Sequence, residues 1–466
     1  MDTKQTGSEG DGSPKYWLSL DQWSKDPEFQ RLAQNEFQSS PLSAKDGEGG
    51  WARREFLKVM GASMALSAFG CVRRPAQKIV PYVKRPPEIT PGKINYYSSS
   101  FADGSMGFGL VVATREGRPI KLEGNNDFPV NKGGMSARAH AHLLALYDPD
   151  RAKGPQKNEL NPNKTNYEAL KATINWENLD KAVAAELEKG SVGILVSSIV
   201  SPSTRALLED FARAYGAQVY VWEPLAMDSV REGQKACYGQ NVLPHFRIEK
   251  AKYIVSLDAD ILGTLGQPVE QMRLFSQGRS LGKDMNKLVC FESLMSLTGT
   301  NADERYRIRP SQQVDVVMGI IYELVVGSKL TRYSGDSTVK SLLEPYANVS
   351  ERLGFEPKTI SRIAADLWAH RGESLVLAGG MTGQTLRNKG LQAAVNFLNS
   401  ILENDGSTID AQSWTYTGYV GSSSDISELV SDIEGGRVKR LIIQGANPGY
   451  ALPKSVGFHE AMKKVE

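Results

Sequence analysis

Six short apolar runs, each closing on a polar or glycine-rich loop, constrain this chain more than any other feature. They are VGILVSS (192–198), AQVYVW (217–222), AKYIVSLDAD (251–260), NKLVCFES (286–293), ESLVLAGG (373–380) and VKRLIIQGANP (438–448). They are apolar without strict alternation, so each strand must be covered on both faces. Helical patterns lie between and beside them. INWENLDKAVAAELEKG ends in glycine before the first strand, and TRALLEDFARAYG follows it with Ser203 as a candidate N-cap. QVDVVMGIIYELVVG (313–327) and GLQAAVNFLNSIL (390–402) are two more. Strands alternating with helices predict a doubly wound α/β body of parallel sheets, in two lobes.

The chain ahead of this body reads differently. RRPAQKIVPYVKRPPEITPGK (73–93) holds five prolines and predicts an extended strap over a surface. GFGLVVATREGRPIKLEGN (107–125) alternates apolar and polar residues around Glu116-Gly117, the pattern of a β-hairpin. ALYDPDRAKGPQ (145–156) is rich in turn formers.

Farther upstream, ARREFLKVMGASMALSAFGC (52–71) has the pattern of a twin-arginine export signal, carried by Arg53, Arg54, Phe56 and Leu57. Its apolar part, Val59 to Phe69, is short and broken by Gly61 and Ser63, which suits export of a folded protein. AFGC makes Cys71 a candidate lipidation site, although Ala68 and Phe69 depart from the usual cleavage box. The signal starts about fifty residues into the chain. Before it, residues 16–40 set Trp17, Leu20, Trp23, Phe29, Leu32 and Phe37 at roughly helical spacing, and Asp26-Pro27 makes a helix start. Residues 1–50 are therefore expected to be a leader with a docking helix, and 51–71 the signal. A proline-rich strap and small β-rich domain follow over 72–156, then the α/β body over 157–466.

Composition excludes several classes. The 55 basic and 53 acidic residues leave a net charge of +2, which gives no support for a nucleic-acid partner. No apolar run approaches the ~18–20 residues of a membrane-spanning helix. The three cysteines cannot supply the four closely spaced thiolates of an iron–sulfur cluster. Cys237 and Cys290 are open to a disulfide or to two buried free thiols, and the thiols are favoured. His140 and His142 stand two apart and so point away from each other on a helix, which disfavours metal binding.

Ligands of doubly wound proteins sit in the loops at the carboxyl ends of the strands. Those loops carry Asp258, Asp260, Asp303, Glu304 and Arg305. The favoured reading has these acids capping helices and pairing with arginines such as Arg307 and Arg309. GGMTG lacks dinucleotide spacing, and no P-loop, HExxH or GxSxG pattern occurs. No catalytic, cofactor-binding or metal-binding residue is assigned.

Several of these segments resemble the molybdopterin oxidoreductase superfamily. INWENLDKAV is similar to its I-S-W-D-E-A segment, LEGNNDFP to its G-D-P-x-H-P loop, YDPDR to Y-x-P-x-R and IIQGANP to G-x-N-P. More narrowly, residues 16–466 resemble the large periplasmic iron–sulfur subunit family of alternative complex III, a quinol-oxidising membrane complex. The leader before a late signal, the proline strap, and ADILGTLGQP…ESLMSLTGTNADERYRIRPS carry that likeness. The resemblance implies formate dehydrogenase/DMSO reductase-like domains 1–3, with doubly wound sheets and a small β-rich N-terminal portion.

Where superfamily members hold a cluster, YYSSSFADGSMGFGLVV has no cysteine, and Ser136 stands about where the last ligand would be. The resemblance therefore implies a non-catalytic scaffold with no molybdopterin, its family's iron–sulfur clusters lying in a C-terminal portion absent here. It implies partners too: haem c and quinol-binding membrane subunits, and a missing C-terminal part or separate chain. It places the protein at the periplasmic face of the bacterial inner membrane. An active molybdopterin-dependent oxidoreductase and a periplasmic small-ligand-binding lipoprotein are the alternatives.

Overall fold

The computed structural model describes residues 83–84, 86–159, 170–279, 285–380, 388–414 and 420–466, together with Pro27. The chain forms two units, Met1–Arg85 and Pro86–Glu466. Arg53, Arg54, Phe56, Leu57 and Cys71 lie outside the described residues. So does the leader helix, apart from Pro27, which is helical and exposed.

The second unit opens with strands β1 (Ile94–Asp103), β2 (Met106–Arg115) and β3 (Arg118–Gly124), paired antiparallel in the order β1-β2-β3. The expected hairpin is β2–β3. At its tip Glu116 and Gly117 take φ of 52° and 79°, the doubly left-handed turn that follows the twist of paired strands. β1, whose INYYSSSFAD is mostly polar, carried no strand signal. Helix α1 (Ala137–Ala145) follows, and Ser136 caps it by accepting from Ala139 N–H at 3.1 Å. Asn131, fully buried, ties the intervening loop to β2: it accepts from Gly109 N–H at 3.1 Å and donates to Gly109 O at 3.0 Å. A two-stranded ribbon, β4 (Gln156–Glu159) with β5 (Leu170–Thr173), leads to the body.

The body runs α2 (Trp176–Leu187), β6 (Val192–Val196), α3 (Pro202–Tyr215), β7 (Gln218–Val221) and α4 (Asp228–Tyr238). It continues through β8 (Pro244–Phe246), β9 (Tyr253–Leu257), α5 (Pro268–Gln277), β10 (Lys287–Glu292), β11 (Glu304–Arg307) and α6 (Gln313–Tyr322). After α7 (Thr359–Ala369) come β12 (Ser374–Ala378), α8 (Asn388–Ile401), β13 (Ile409–Trp414), α9 (Ser423–Glu434), β14 (Arg440–Gln444) and α10 (Phe458–Met462). All six apolar runs are strands. Two expectations need correction. Ser201, not Ser203, caps α3, because Pro202 occupies its first turn and Ser201 Oγ accepts from Thr204 N–H. The helix expected over 313–327 is α-helical only to Tyr322, and 323–327 is a π-turn.

The strands form two parallel sheets, ordered β14-β6-β7 and β11-β10-β9-β12. The chain starts the first sheet with β6 and β7, leaves it to build the whole of the second, and returns 219 residues after Val221, at Arg440, to set β14 beside β6. The four-stranded sheet is buried on both faces. Tyr253, Val255, Leu257, Val289 and Phe291 pack under α6, α7 and α8, while Ile254, Leu288, Cys290, Leu375 and Leu377 pack against Leu274 and Phe275 of α5. The three-stranded sheet sets Leu195 and Tyr220 against α9 and α10, and Ile194, Val196 and Val221 against α3.

Candidate functional site

In each sheet the strand order reverses once, between β9 and β12 and between β6 and β14. Such switch points open crevices at the carboxyl ends of the strands, where doubly wound proteins bind ligands. Here both are drawn tight. Gly380, with φ of 101°, sits where a Cβ would stand 2.6 Å from the Asp258 carbonyl oxygen. Gly445, φ 67°, sits where a Cβ would stand 2.6 Å from Ser197 Oγ. Only glycine lets these facing loops approach so closely.

Three acids line the carboxyl ends of β9 and β10. Asp258 ends β9 with a left-handed φ of 51°, a conformation aspartate adopts more readily than most side chains. Its Oδ1 accepts from Ser293 N–H at 3.0 Å and its Oδ2 from Gln313 Nε2 at 2.5 Å. Asp260 accepts from Thr298 N–H at 3.1 Å and Thr298 Oγ1 at 2.8 Å. Glu292, 2% exposed, accepts from Ser296 Oγ at 2.7 Å and Arg305 Nε at 2.5 Å. A Cβ on Gly299 would collide with Glu292 Oε1. Each carboxylate thus ties one loop to the next element.

Asp303 and Glu304 have the same use but different partners from those expected. Arg279 donates to Asp303 through two nitrogens, at 2.9 and 2.7 Å. Glu304 takes Lys287 Nζ at 2.6 Å, Arg362 Nη2 at 2.5 Å and Tyr306 OH at 2.7 Å. Burial opposes its charge, yet these three donors outweigh burial and hold its pKa down at about 2. Arg307 and Arg309 are not the partners; Arg279 and Arg362, distant in sequence, are. Glu292 was not singled out from sequence. An acid closing a wholly apolar strand, with serine four residues on, is the signal that marks it.

The tip of the β1–β2 hairpin rests on these carboxyl ends. A Cβ on Gly104 would stand 2.8 Å from Glu223 Oε1 in the loop after β7, and one on Gly107 3.5 Å from Val200 in the loop after β6. Gln267 Nε2 donates to Ser105 O at 3.3 Å from the β9 side. A small slot beside the β9–β12 crevice is lined by Leu225, Ala226, Met227, Ser229, Val230, Thr264 and Gly380, mainly apolar.

The other residues considered from sequence stay apart. Cys237 and Cys290 are both free, so no disulfide joins them; Cys290 is buried, but Cys237 is exposed. Burial pushes the Cys290 thiol up to about 12, which leaves it inert as a nucleophile. His140 and His142 are exposed on α1, His142 beside Phe101 at 4.8 Å. Among the described residues no group of three or more His, Cys, Asp or Glu is placed to hold a metal ion.

Two small parallel sheets with a β-rich N-terminal piece over their carboxyl ends define the fold as molybdopterin oxidoreductase-like. Acetylene hydratase from Pelobacter acetylenicus has it, with a TM-score of 0.59 at 11% identity, over 77% of this chain and 58% of that one. The menaquinone reductase molybdopterin-binding-like subunit of Nitratidesulfovibrio vulgaris is 23% identical over 376 residues, 77% of this chain. The chain spans 53% of that curated relative's length. No family model matches the chain.

Proposed function

We propose that this chain is a non-catalytic scaffold subunit of a quinone-linked respiratory complex, positioning an electron-transfer chain carried elsewhere. One observation carries the reading: the acids and glycines of the switch points are used to fasten loop to loop. A pterin dinucleotide brings a pyrophosphate dianion, which needs free N–H donors and cations. The described residues at the carboxyl ends of β9 and β10 present Asp258, Asp260 and Glu292 instead, with Arg305 already committed to Glu292. They do not fit that group. The name of the curated relative, a menaquinone reductase subunit described as molybdopterin-binding-like, supports the quinone link. The sequence resemblance narrows the complex to alternative complex III, with haem c and quinol-binding membrane subunits as partners. The twin-arginine pattern at Arg53-Arg54 favours export to the periplasmic face of the inner membrane.

Metal and pterin analysis of the chain purified from its native membrane tests this. Iron and haem arriving only with co-purifying polypeptides, and no molybdenum, is the expected result. Stoichiometric molybdenum with a released fluorescent pterin would make the crevice an active site and overturn the proposal.

A further inference from the structure

One face of α8 buries a row of amides. Gln392, Asn396 and Asn399 follow at spacings of four and three, so they stand above one another, and each is at most 5% exposed. A buried amide is costly unless its N–H groups and its oxygen all find partners. Two of the three are spent on β12. Gln392 Nε2 donates to Ala378 O at 2.7 Å. Asn399 accepts from Val376 N–H at 3.0 Å and from Asn404 Nδ2 at 2.9 Å, and donates to Val376 O at 2.8 Å.

Asn396 is used differently. It reaches α4, where its Oδ1 accepts from Gln234 Nε2 at 3.0 Å. Its Nδ2 is shielded from bulk water and has no partner among the described residues. A cavity of about 10 Å³ lies at this point, between α4, α8, β12 and the β8–β13 ribbon, and every residue lining it is buried. Gln234, Gln392, Asn396 and Asn399 supply its polar wall, and aliphatic and aromatic side chains the rest. The helix packing accounts for its place. A Cβ on Gly233 would stand 2.4 Å from Gln392 Cβ, so α4 and α8 touch there. Crossing helices separate on either side of such a contact, and Gln234 and Asn396 span the widening gap.

We propose that this cavity is a binding site for a single water molecule, held by Asn396 Nδ2 and completing the joint between α4 and α8. Its volume is about what one water needs, which excludes larger ligands. Internal cavities that stay dry are lined by apolar groups, whereas this one has an unmatched amide donor on its wall. A buried water makes about three hydrogen bonds. Here it accepts from Asn396 Nδ2, and the amides of Gln234 and Gln392 on the same wall offer oxygens to its protons. A cation would meet the donor with the wrong sign. The inference does not depend on the scaffold reading, since the joint needs closing whatever the chain assembles with.

The test is a structure of the full chain that resolves ordered water, for the wild type and for the double variant Gln234→Met, Asn396→Leu. A water peak in the wild-type cavity at about 2.7–3.2 Å from Asn396 Nδ2 is the expected result. The double variant removes both members of the amide pair and keeps their shapes, so neither is left unmatched, and its cavity should show no peak. A wild-type cavity without a peak, while the Asn396 side chain is ordered, would overturn the site. So would a peak that persists in the double variant. Should the variant not fold, the wild-type map alone decides.

Discussion

β12 and β14 are both edge strands of parallel sheets, both five residues long, and both flanked by amphipathic helices. Every residue of β12 is buried, whereas β14 is half-buried at its start and exposed at Ile443 and Gln444. The difference lies in the helix beside each. α8 sends Gln392 and Asn399 back into the sheet, where they replace the strand that is absent. α2 has Leu187 packed in the core of its sheet, while Trp176 and Val183 are exposed. An edge that a protein closes with its own amides is finished; at the start of β14 the chain instead uses backbone, Glu466 N–H donating to Lys439 O at 2.8 Å. The acids at the carboxyl ends of β9 and β10 follow the first pattern, since their hydrogen-bonding capacity is spent inside the fold.

This contrast can be broken by substitution. The largest effect is expected where a charge would be stranded. Glu292→Ala removes the buried partner of Arg305 and the anchor of Ser296, and should cost about 3 kcal/mol in chemical denaturation. A loss under about 1 kcal/mol would show that the carboxylate is not holding the loops. Asn399→Ala comes next. It leaves both backbone groups of Val376 unpaired in the interior and should cost about 2–3 kcal/mol. Gln392→Ala frees a single carbonyl, and about 1–2 kcal/mol is expected.

A pH scan sharpens the contrast elsewhere. His245 lies 3.3 Å from Glu270, and that hydrogen bond, against the opposing effect of burial, raises its pKa above the ordinary 6.5. The stabilisation is therefore complete below that ordinary value and is lost as pH rises through the raised one. Comparing wild type with His245→Gln at about pH 5.5 and about pH 8.5, the wild type should lose under about 1 kcal/mol more on the alkaline side. An equal loss in both would remove the pair from account. The smallest effect belongs to β14. Ile443→Lys should change the stability of the isolated chain by no more than about 0.5 kcal/mol, since the side chain is 40% exposed. A loss as large as that of Asn399→Ala would mean that Ile443 is held in the core.

The candidate site was legible only in outline. Its loops could be placed, because continuous apolar strands announce where their carboxyl ends fall. The roles of Asp258, Asp260, Asp303 and Glu304 as ties could be favoured too, since lone acids in such loops more often cap and pair than catalyse. Their partners could not be named. Arg279 lies 24 residues from Asp303, and Arg362 lies 58 from Glu304, while the nearby Arg307 and Arg309 do not pair with either acid. β1 has no apolar alternation to mark it, because its polar run is held to β2 chiefly by the antiparallel backbone ladder.

By itself the sequence determined the six apolar strands of the body, four of its helices, the β2–β3 turn and the parallel α/β class, since these follow from periodicity and local backbone preference. Strand order, the return of β14 to β6, and the fate of each edge were decided by tertiary structure alone. The reason is physical: a sheet edge is closed by groups that sequence patterns read as ordinary polar positions on a helix. Asn399 looks like any solvent-facing amide until α8 is laid against β12, and Trp176 like any core residue until it is found 65% exposed on α2.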